Sequence, residues 1–361
     1  VGAAREIARG AGGGPLATYS GVTADATESV EARCIRAVVA QGGVEAKLLP
    51  PAELAAHQAG LQRVLQAVEE PFDASMLLWM LLYGVAQSDG HRVMLDGVDG
   101  DLVTSLQGNY LLLLARRGRV TSAWREARAV RERHGGQDFT AREFARLLLT
   151  AATPAGIRRW RQRPRHRTRL AEALDDTLIA PRFAHEVSLA ERFERFDAHS
   201  HSDLRGGPRQ VAIAALVSPL LTAGVERYAR VSALCGMAAR HPYLDRRLVE
   251  FCASLPWNQR IRHGWTKYIL RNLGERWLPS EVVWRKDWES LMWSFTEAWL
   301  RLQWREVRER LADHAERLSE FVKRGQITGL PGDPGRLEQP RQAQLWSAYS
   351  LLLWLERNDF P

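Results

Sequence analysis

The sequence predicts an α/β chain: a parallel sheet with helices on both faces, continued by a large and mainly helical region. Three observations carry this. Short β-type runs alternate with helix-length apolar periodicities up to about residue 118, the order a parallel sheet with crossover helices requires. The third of these runs passes directly into a Gly- and Asp-rich turn, Gly97-Val98-Asp99-Gly100-Asp101. From Asp101 onward nearly every apolar periodicity is helical. The expected division is therefore a sheet region over residues 1–118 and a helical region over 119–361.

Taken in order, Ala3 to Ala8 reads as the end of a helix, followed by a Gly-rich turn from Gly10 to Gly14. Leu16 to Val22 is a strand. Glu28 to Gln41 carries Val30, Cys34, Ala37, Val38 and Val39 at helical spacing. Val44 to Leu49 is a second strand, closed by Pro50-Pro51. A helix from Ala52 to about Val68 ends at the break Glu69-Glu70-Pro71-Phe72. Ser75 to Gln87 is an apolar helix with Ser75 at its N-cap, and Arg92 to Asp96 is the third strand. Beyond it, helices are expected at about 101–115, 120–134, 139–152, 168–198, 208–240, 245–254, 265–275 and 297–321. A Gly- and Pro-rich loop over 322–343 leads into a last apolar helix, Gln342 to Leu355.

Composition narrows the class. Of 361 residues, 45% are hydrophobic and 25% charged, the balance of a globular protein. No run reaches the roughly 18 apolar residues a bilayer span needs, so no membrane partner is expected. No signal peptide is evident, and the chain does not begin with Met. Cys34, Cys235 and Cys252 form no CxxC pair, so neither a disulfide framework nor a zinc site is expected and a reducing cytoplasm fits. The net charge is +8, much of it in Arg158-Arg-Trp-Arg-Gln-Arg-Pro-Arg-His-Arg-Thr-Arg169. That run has no apolar periodicity and reads as a solvated connection more readily than as a nucleic-acid patch. The thirteen Trp leave room for an aromatic oligomer interface.

In open parallel sheets, ligands lie beyond the carboxyl ends of the strands. Two segments end there: Tyr19-Ser20-Gly21-Val22, and Asp96-Gly97 with the turn that follows. Asp101, at the mouth of the next helix, could hold Mg²⁺ carried on nucleotide phosphates or simply cap the helix; spacing alone does not choose. Lys267 and Arg271 stand four apart near the start of a helix. Like charges there repel, so an anion nearby would explain them, while two solvated cations on a surface helix is the plainer alternative.

Together these stretches resemble a known family. Leu95-Asp-Gly-Val-Asp-Gly-Asp101 is similar to the SGEGxDE-type loop of asparagine synthetases and of the related β-lactam synthetases and lasso-peptide cyclases. His241-Pro-Tyr-Leu-Asp-Arg-Arg-Leu-Val-Glu-Phe251, followed by Leu255-Pro256, resembles their RxPFLDxxLVEF stretch. Gly264 to Arg271 resembles a GxxKxxLR helix, Leu278 to Arg285 an LPxxVxWR segment, and Glu69 to Phe72 a DEP element. Order and spacing agree from Leu16 to about Lys286.

The resemblance implies a sheet of the PP-loop type that binds ATP with Mg²⁺. A carboxylate is activated as an acyl-adenylate, and an amine displaces AMP. By position, Gly21, Asp96 and Gly97 would lie against the adenosine, Asp101 would bind magnesium, and Lys267 with Arg271 would meet the phosphates and the intermediate. Asp245 would be structural. The family's phosphate-cradling Ser-Gly-Gly-x-Asp-Ser-Ser loop would end just before Val1, so this chain by itself is expected to be marginally stable and inactive. The glutamine-hydrolysing domain is not seen either, leaving the amine donor open between ammonia from glutamine and an amine of the substrate. Val98 stands where asparagine synthetases carry Glu and lactam synthetases Tyr, and Leu102 follows Asp101 where they carry Glu. Val can neither accept a proton nor hydrogen-bond, which points to a peptide or natural-product carboxylate, as in lasso-peptide cyclisation. The alternative is a nucleotide-binding scaffold that has lost the chemistry.

Overall fold

The computed structural model describes residues 1–23, 29–67, 69–71, 75–105, 110–133, 140–154, 157, 172, 174–202, 208–286 and 289–358. The Arg158–Arg169 run and Phe72 lie outside them. The protein is mixed α/β and mostly helical, with small parallel sheets. Helix α1 (Gly2–Gly10) precedes β1 (Leu16–Gly21), α2 (Val30–Ala40) and β2 (Val44–Leu49). Strands β1 and β2 pair in parallel, Leu16 opposite Val44 through Gly21 opposite Leu49. Then come α3 (Glu53–Ala56), α4 (Gln58–Ala67), α5 (Met76–Ser88) and β3 (Val93–Leu95). The helical part runs through α6 (Gly100–Thr104), α7 (Tyr110–Arg116), α8 (Val120–Arg133), α9 (Ala141–Ala152), α10 (Pro181–Glu186), α11 (Leu189–Ser202), α12 (Pro208–Leu216) and α13 (Pro219–Leu234). The chain continues with β4 (Ala238–Arg240), α14 (Arg246–Ser254), α15 (Trp257–Arg260), β5 (Ile261–Arg262), β6 (Trp265–Thr266), α16 (Tyr268–Gly274) and α17 (Ser280–Val283). It ends with α18 (Met292–Asp313), α19 (Ala315–Leu318) and α20 (Gln339–Arg357).

The three expected strands form, but they are divided between sheets. Among the described residues β1 and β2 form one two-stranded sheet and β3 pairs in another with β4. The expected helix over 208–240 is interrupted twice. A break at Val217–Ser218 separates α12 from α13, where Ser218 caps α13 through Leu220 N. Gly236, at φ 69°, then turns the chain, and Ala238–Arg240 lies in parallel against Val93–Leu95. Ala-Ala-Arg favours helix locally; a ladder to a distant strand overrides that preference. Tyr19 of β1 and Lys47 of β2 both donate to Asp89 at the end of α5, each at 2.8 Å, which ties this sheet to the turn ahead of β3.

Three further expectations shift. The helix over 101–115 splits at Ser105, which is extended. That over 265–275 begins as strand β6 and turns helical only after Lys267. Ser75 occupies the N-cap of α5 without a side-chain capping bond.

The main core is organised by α5, nine of whose thirteen residues are buried. A helix apolar all round is stable only inside, and α5 is enclosed by β1, α4, α13 and α18. Helix α18 buries Phe295, Trp299, Leu300, Trp304, Val307 and Leu311, and α20 covers it. Trp299 meets Trp346 edge-on at 4.7 Å. This core joins Leu49 to Ala86 with Phe295 to Leu355, so it runs across residue 118. A second, smaller cluster ties α7, α8 and α9 through Leu111, Leu114, Ala123, Phe144 and Leu147. Among the described residues no single helix is long and apolar enough to cross a membrane.

Candidate functional site

The site grows from the parallel register of β3 and β4. Leu95 lies opposite Arg240, so the residues just past both strand ends, Asp96 and His241, come side by side. His241 Nδ1 is 2.9 Å from Asp96 Oδ1, which also accepts from Val98 N at 3.0 Å. The Asp96 side chain is almost wholly buried. Its Oδ2 is buried with no hydrogen-bond partner among the described residues.

From there the chain turns tightly. Asp99 adopts φ 57°, ψ 12° and stands at the N-cap of α6 without a side-chain capping bond. Gly100 is obligatory for a different reason: a Cβ there would lie 2.9 Å from the Tyr243 ring. Asp101 falls in the first turn of α6 and is exposed. Since Asp99 holds the N-cap, capping does not account for Asp101. Burial pushes the Asp99 carboxyl up, with Asp101 and Asp96 adding to the shift and His241 opposing it. Three carboxylates are thus gathered at the strand ends.

Lys267 lies across from this turn, close enough for Asp101 to favour its charged form. It caps α16 in the left-handed region, at φ 55°, ψ 34°, a conformation costing a non-glycine residue on the order of 1–2 kcal/mol. Its surroundings hold it there. The β5–β6 hairpin turns at Gly264, φ +71°, where a Cβ would sit 2.7 Å from Val130 N. The buried carboxylate of Glu126, on α8, accepts from His263 N at 3.1 Å and Gly264 N at 2.8 Å. Arg133, also on α8, donates to His263 O and stacks 3.7 Å from the Trp265 ring centre. Arg271 stacks 4.5 Å from the same ring. Arg271 donates to Thr266 O at 2.9 Å, to Val283 O and to Arg285 O at 3.3 Å. Burial is the largest influence lowering the Lys267 ammonium below its ordinary value; Arg285 and Arg271 add to it and Asp101 opposes.

Compared with models of protein families, residues 1–356 match that of asparagine synthase. The chain belongs to the asparagine synthase family. No curated protein matches it. Membership makes this an ATP-dependent ligase-type enzyme that forms amide bonds, with a carboxylate substrate and ammonia or glutamine as the general amine source.

Against this family frame, Asp96, Gly97 and Asp101 gather at one turn, and Lys267 and Arg271 at the hairpin facing it. Gly97 leaves open space, nothing lying within 4 Å of an added Cβ. Gly21 is different. A Cβ there would meet Leu78 at 2.7 Å and Phe295 at 3.0 Å, so packing of α5 and α18 alone demands glycine. Arg271 directs Nε and Nη1 to three backbone carbonyls and so braces the hairpin that carries Lys267. Asp245 accepts from Arg247 N at 2.9 Å and caps α14 of this asparagine synthase relative.

Sequence reasoning passes over four residues here. Glu126 sits in an Arg-rich helix with the pattern of a solvated face, and nothing local marks it as buried. His241 shows its role only once β4 pairs with β3. Arg285, which acts on Lys267, also acts on Glu31: burial raises the Glu31 carboxyl, the Leu291 amide and Arg285 oppose, and Glu289 adds to the rise. Spacing reveals the partner of none of them, because each acts through a group far away in the chain.

Proposed function

We propose that this protein activates a carboxylate as an acyl-adenylate and passes it to an amine, on a substrate larger than free aspartate. The observation that carries the reading is the half-buried Lys267, strained and with a lowered pKa, facing Asp101 beyond the ends of two parallel strands. A desolvated cation in that place would stabilise negative charge developing between phosphates. Glu126, Arg133 and Arg271 keep it there before substrate arrives, so no ordering is left for the reacting complex.

Among the described residues no group of three His, Cys, Asp or Glu could hold a metal unaided. That fits Mg²⁺ entering on the nucleotide, since it commonly takes one or two carboxylates besides phosphate oxygens. Burial is the main cause of the raised Asp99 carboxyl; Asp101 and Asp96 add to it, and a cation between these carboxylates would oppose their share. Asp101, with Asp99 behind it, would hold the ion, which when bound neutralises phosphate charge. Asp96 fixes the turn; Gly97 leaves room for the nucleotide.

Val98 supports a substrate other than aspartate. It offers no polar group to an amino-acid substrate and suits an apolar portion of a peptide or natural-product carboxylate, cyclised onto its own amine as in lasso-peptide formation. The test is carboxylate-dependent ATP–pyrophosphate exchange and AMP release, over a panel of peptide and amino-acid carboxylates. Lys267→Ala is expected to lower exchange about 10²- to 10³-fold. ATP binding without AMP release for any carboxylate would instead support a scaffold that kept the fold and lost the chemistry.

A further inference from the structure

Away from the strand ends, a cleft of about 510 Å³ opens between the α7–α8 turn, α12 and the start of α15. Arg117, Arg119 and Arg209 line it, with Leu255, Pro256 and Trp257. The three guanidinium groups form no side-chain hydrogen bond or ion pair among the described residues. Other arginines among the described residues do find an acid, as Arg182, Arg246, Arg301 and Arg310 do. Three exposed cations lining one cavity make it electropositive, a setting that attracts an anionic group.

Nothing in the local backbone relieves this. Arg119 immediately precedes α8 and Arg209 stands in the first turn of α12, and neither helix has an acid in its first turn. Cations at the positive ends of helices are disfavoured. The wall between them is firm, because Trp257 packs on both the Leu111–Leu147 cluster and the smaller cluster of Leu113, Val211 and Ile261.

Beside the arginines the lining is apolar, with Leu255, Pro256 and Trp257. Ile213 lies one turn beyond Arg209 on the same face of α12 and is 42% exposed. An inorganic anion or a nucleotide would use the arginines and leave that apolar wall bare. A nucleic acid would want an extended basic track.

We infer that this cleft binds an acidic peptide, with side-chain carboxylates on Arg117, Arg119 and Arg209 and adjoining apolar side chains on Trp257 and Ile213. Guanidinium groups suit such carboxylates by their planar, two-pronged donor geometry. The site is independent of the ligase reading, since it binds without ATP.

Fluorescence anisotropy tests it, using labelled Glu-Glu-Leu-Glu-Glu-Phe-Leu, the same peptide with Gln for Glu, and a pentauridylate. The acidic peptide is expected to bind at least about tenfold more tightly than its Gln counterpart, as two or three exposed charge pairs allow. Arg119→Gln with Arg209→Gln is expected to remove about tenfold of that affinity, and Ile213→Ser about threefold, with melting curves confirming the fold. Should the double variant misfold, Arg117→Gln alone carries the test, with a loss of about threefold expected. Equal binding of the two peptides would overturn the inference, as would arginine variants that bind like the wild type. Pentauridylate binding as tightly through the same arginines would make it a nucleic-acid site and overturn it too.

Discussion

Replacing Glu126 by Ala is the most direct probe of how the fold prepares Lys267. The carboxylate is only 7% exposed and accepts from His263 N and Gly264 N. Without it the Gly264 amide, which is buried, is left with no acceptor, at a cost of about 1–3 kcal/mol. His263 is exposed, so water can replace the bond to its amide and the loss there is smaller. Arg133 also loses its neighbouring carboxylate, the one influence raising a guanidinium pKa that burial depresses. A total of about 3 kcal/mol is expected, concentrated in the hairpin. Amide hydrogen exchange reads this locally: Gly264 should exchange about a hundredfold faster in the variant, while amides of α5 keep their protection. Glu126→Gln keeps one acceptor oxygen and should show about a tenfold effect. A folded Glu126→Ala protein with unchanged Gly264 exchange would refute the view that this carboxylate holds the hairpin.

Other expectations follow from the same contacts. Gly264→Ala places a methyl 2.7 Å from Val130 N in a left-handed residue and should lower the urea midpoint by about 2–4 kcal/mol equivalent, with unchanged slope. For Lys267 the folded pKa lies below that of the unfolded chain. Between the two values the unfolded state binds more protons, so this group's contribution to stability rises with pH through that window. Lys267→Met should flatten the rise in urea midpoint measured as pH climbs toward 10, and an unchanged slope would show that the ammonium is not desolvated. For Asp245 the sign is opposite. Its bonds to Arg247 hold the carboxyl down at about 2, so its contribution is present above the ordinary carboxylate pKa and lost as pH falls toward 2. Asp245→Asn should weaken the acid dependence of thermal stability over that window, and an identical profile would exclude the helix cap as its source.

Much of the fold is legible before any coordinates because its signals are local. The strands Leu16–Gly21 and Val44–Leu49 are short β-type runs bounded by Gly and Pro, and Met76–Ser88 has no polar face on which to meet water. Asp101 and Lys267 stand out because a Gly- and Asp-rich turn after a strand, and a retained Lys in an Arg-rich chain, are visible as residue types. The same local reading fails at Ala238–Arg240, whose preference is helical and whose ladder partner is β3. It is silent on how Arg271 is held, which three backbone carbonyls and the Trp265 ring decide.

By itself, then, the sequence determined the first three strands and the helices between them, the family and the turn where the acids gather, because apolar period, glycine placement and motif spacing are properties of neighbouring residues. Tertiary structure alone decided that Asp96 would meet His241, that Glu126 would be buried beneath Gly264, and that Lys267 would be held strained and partly desolvated. Burial and charge at those positions are set by groups distant along the chain, and no local pattern encodes which of them will arrive.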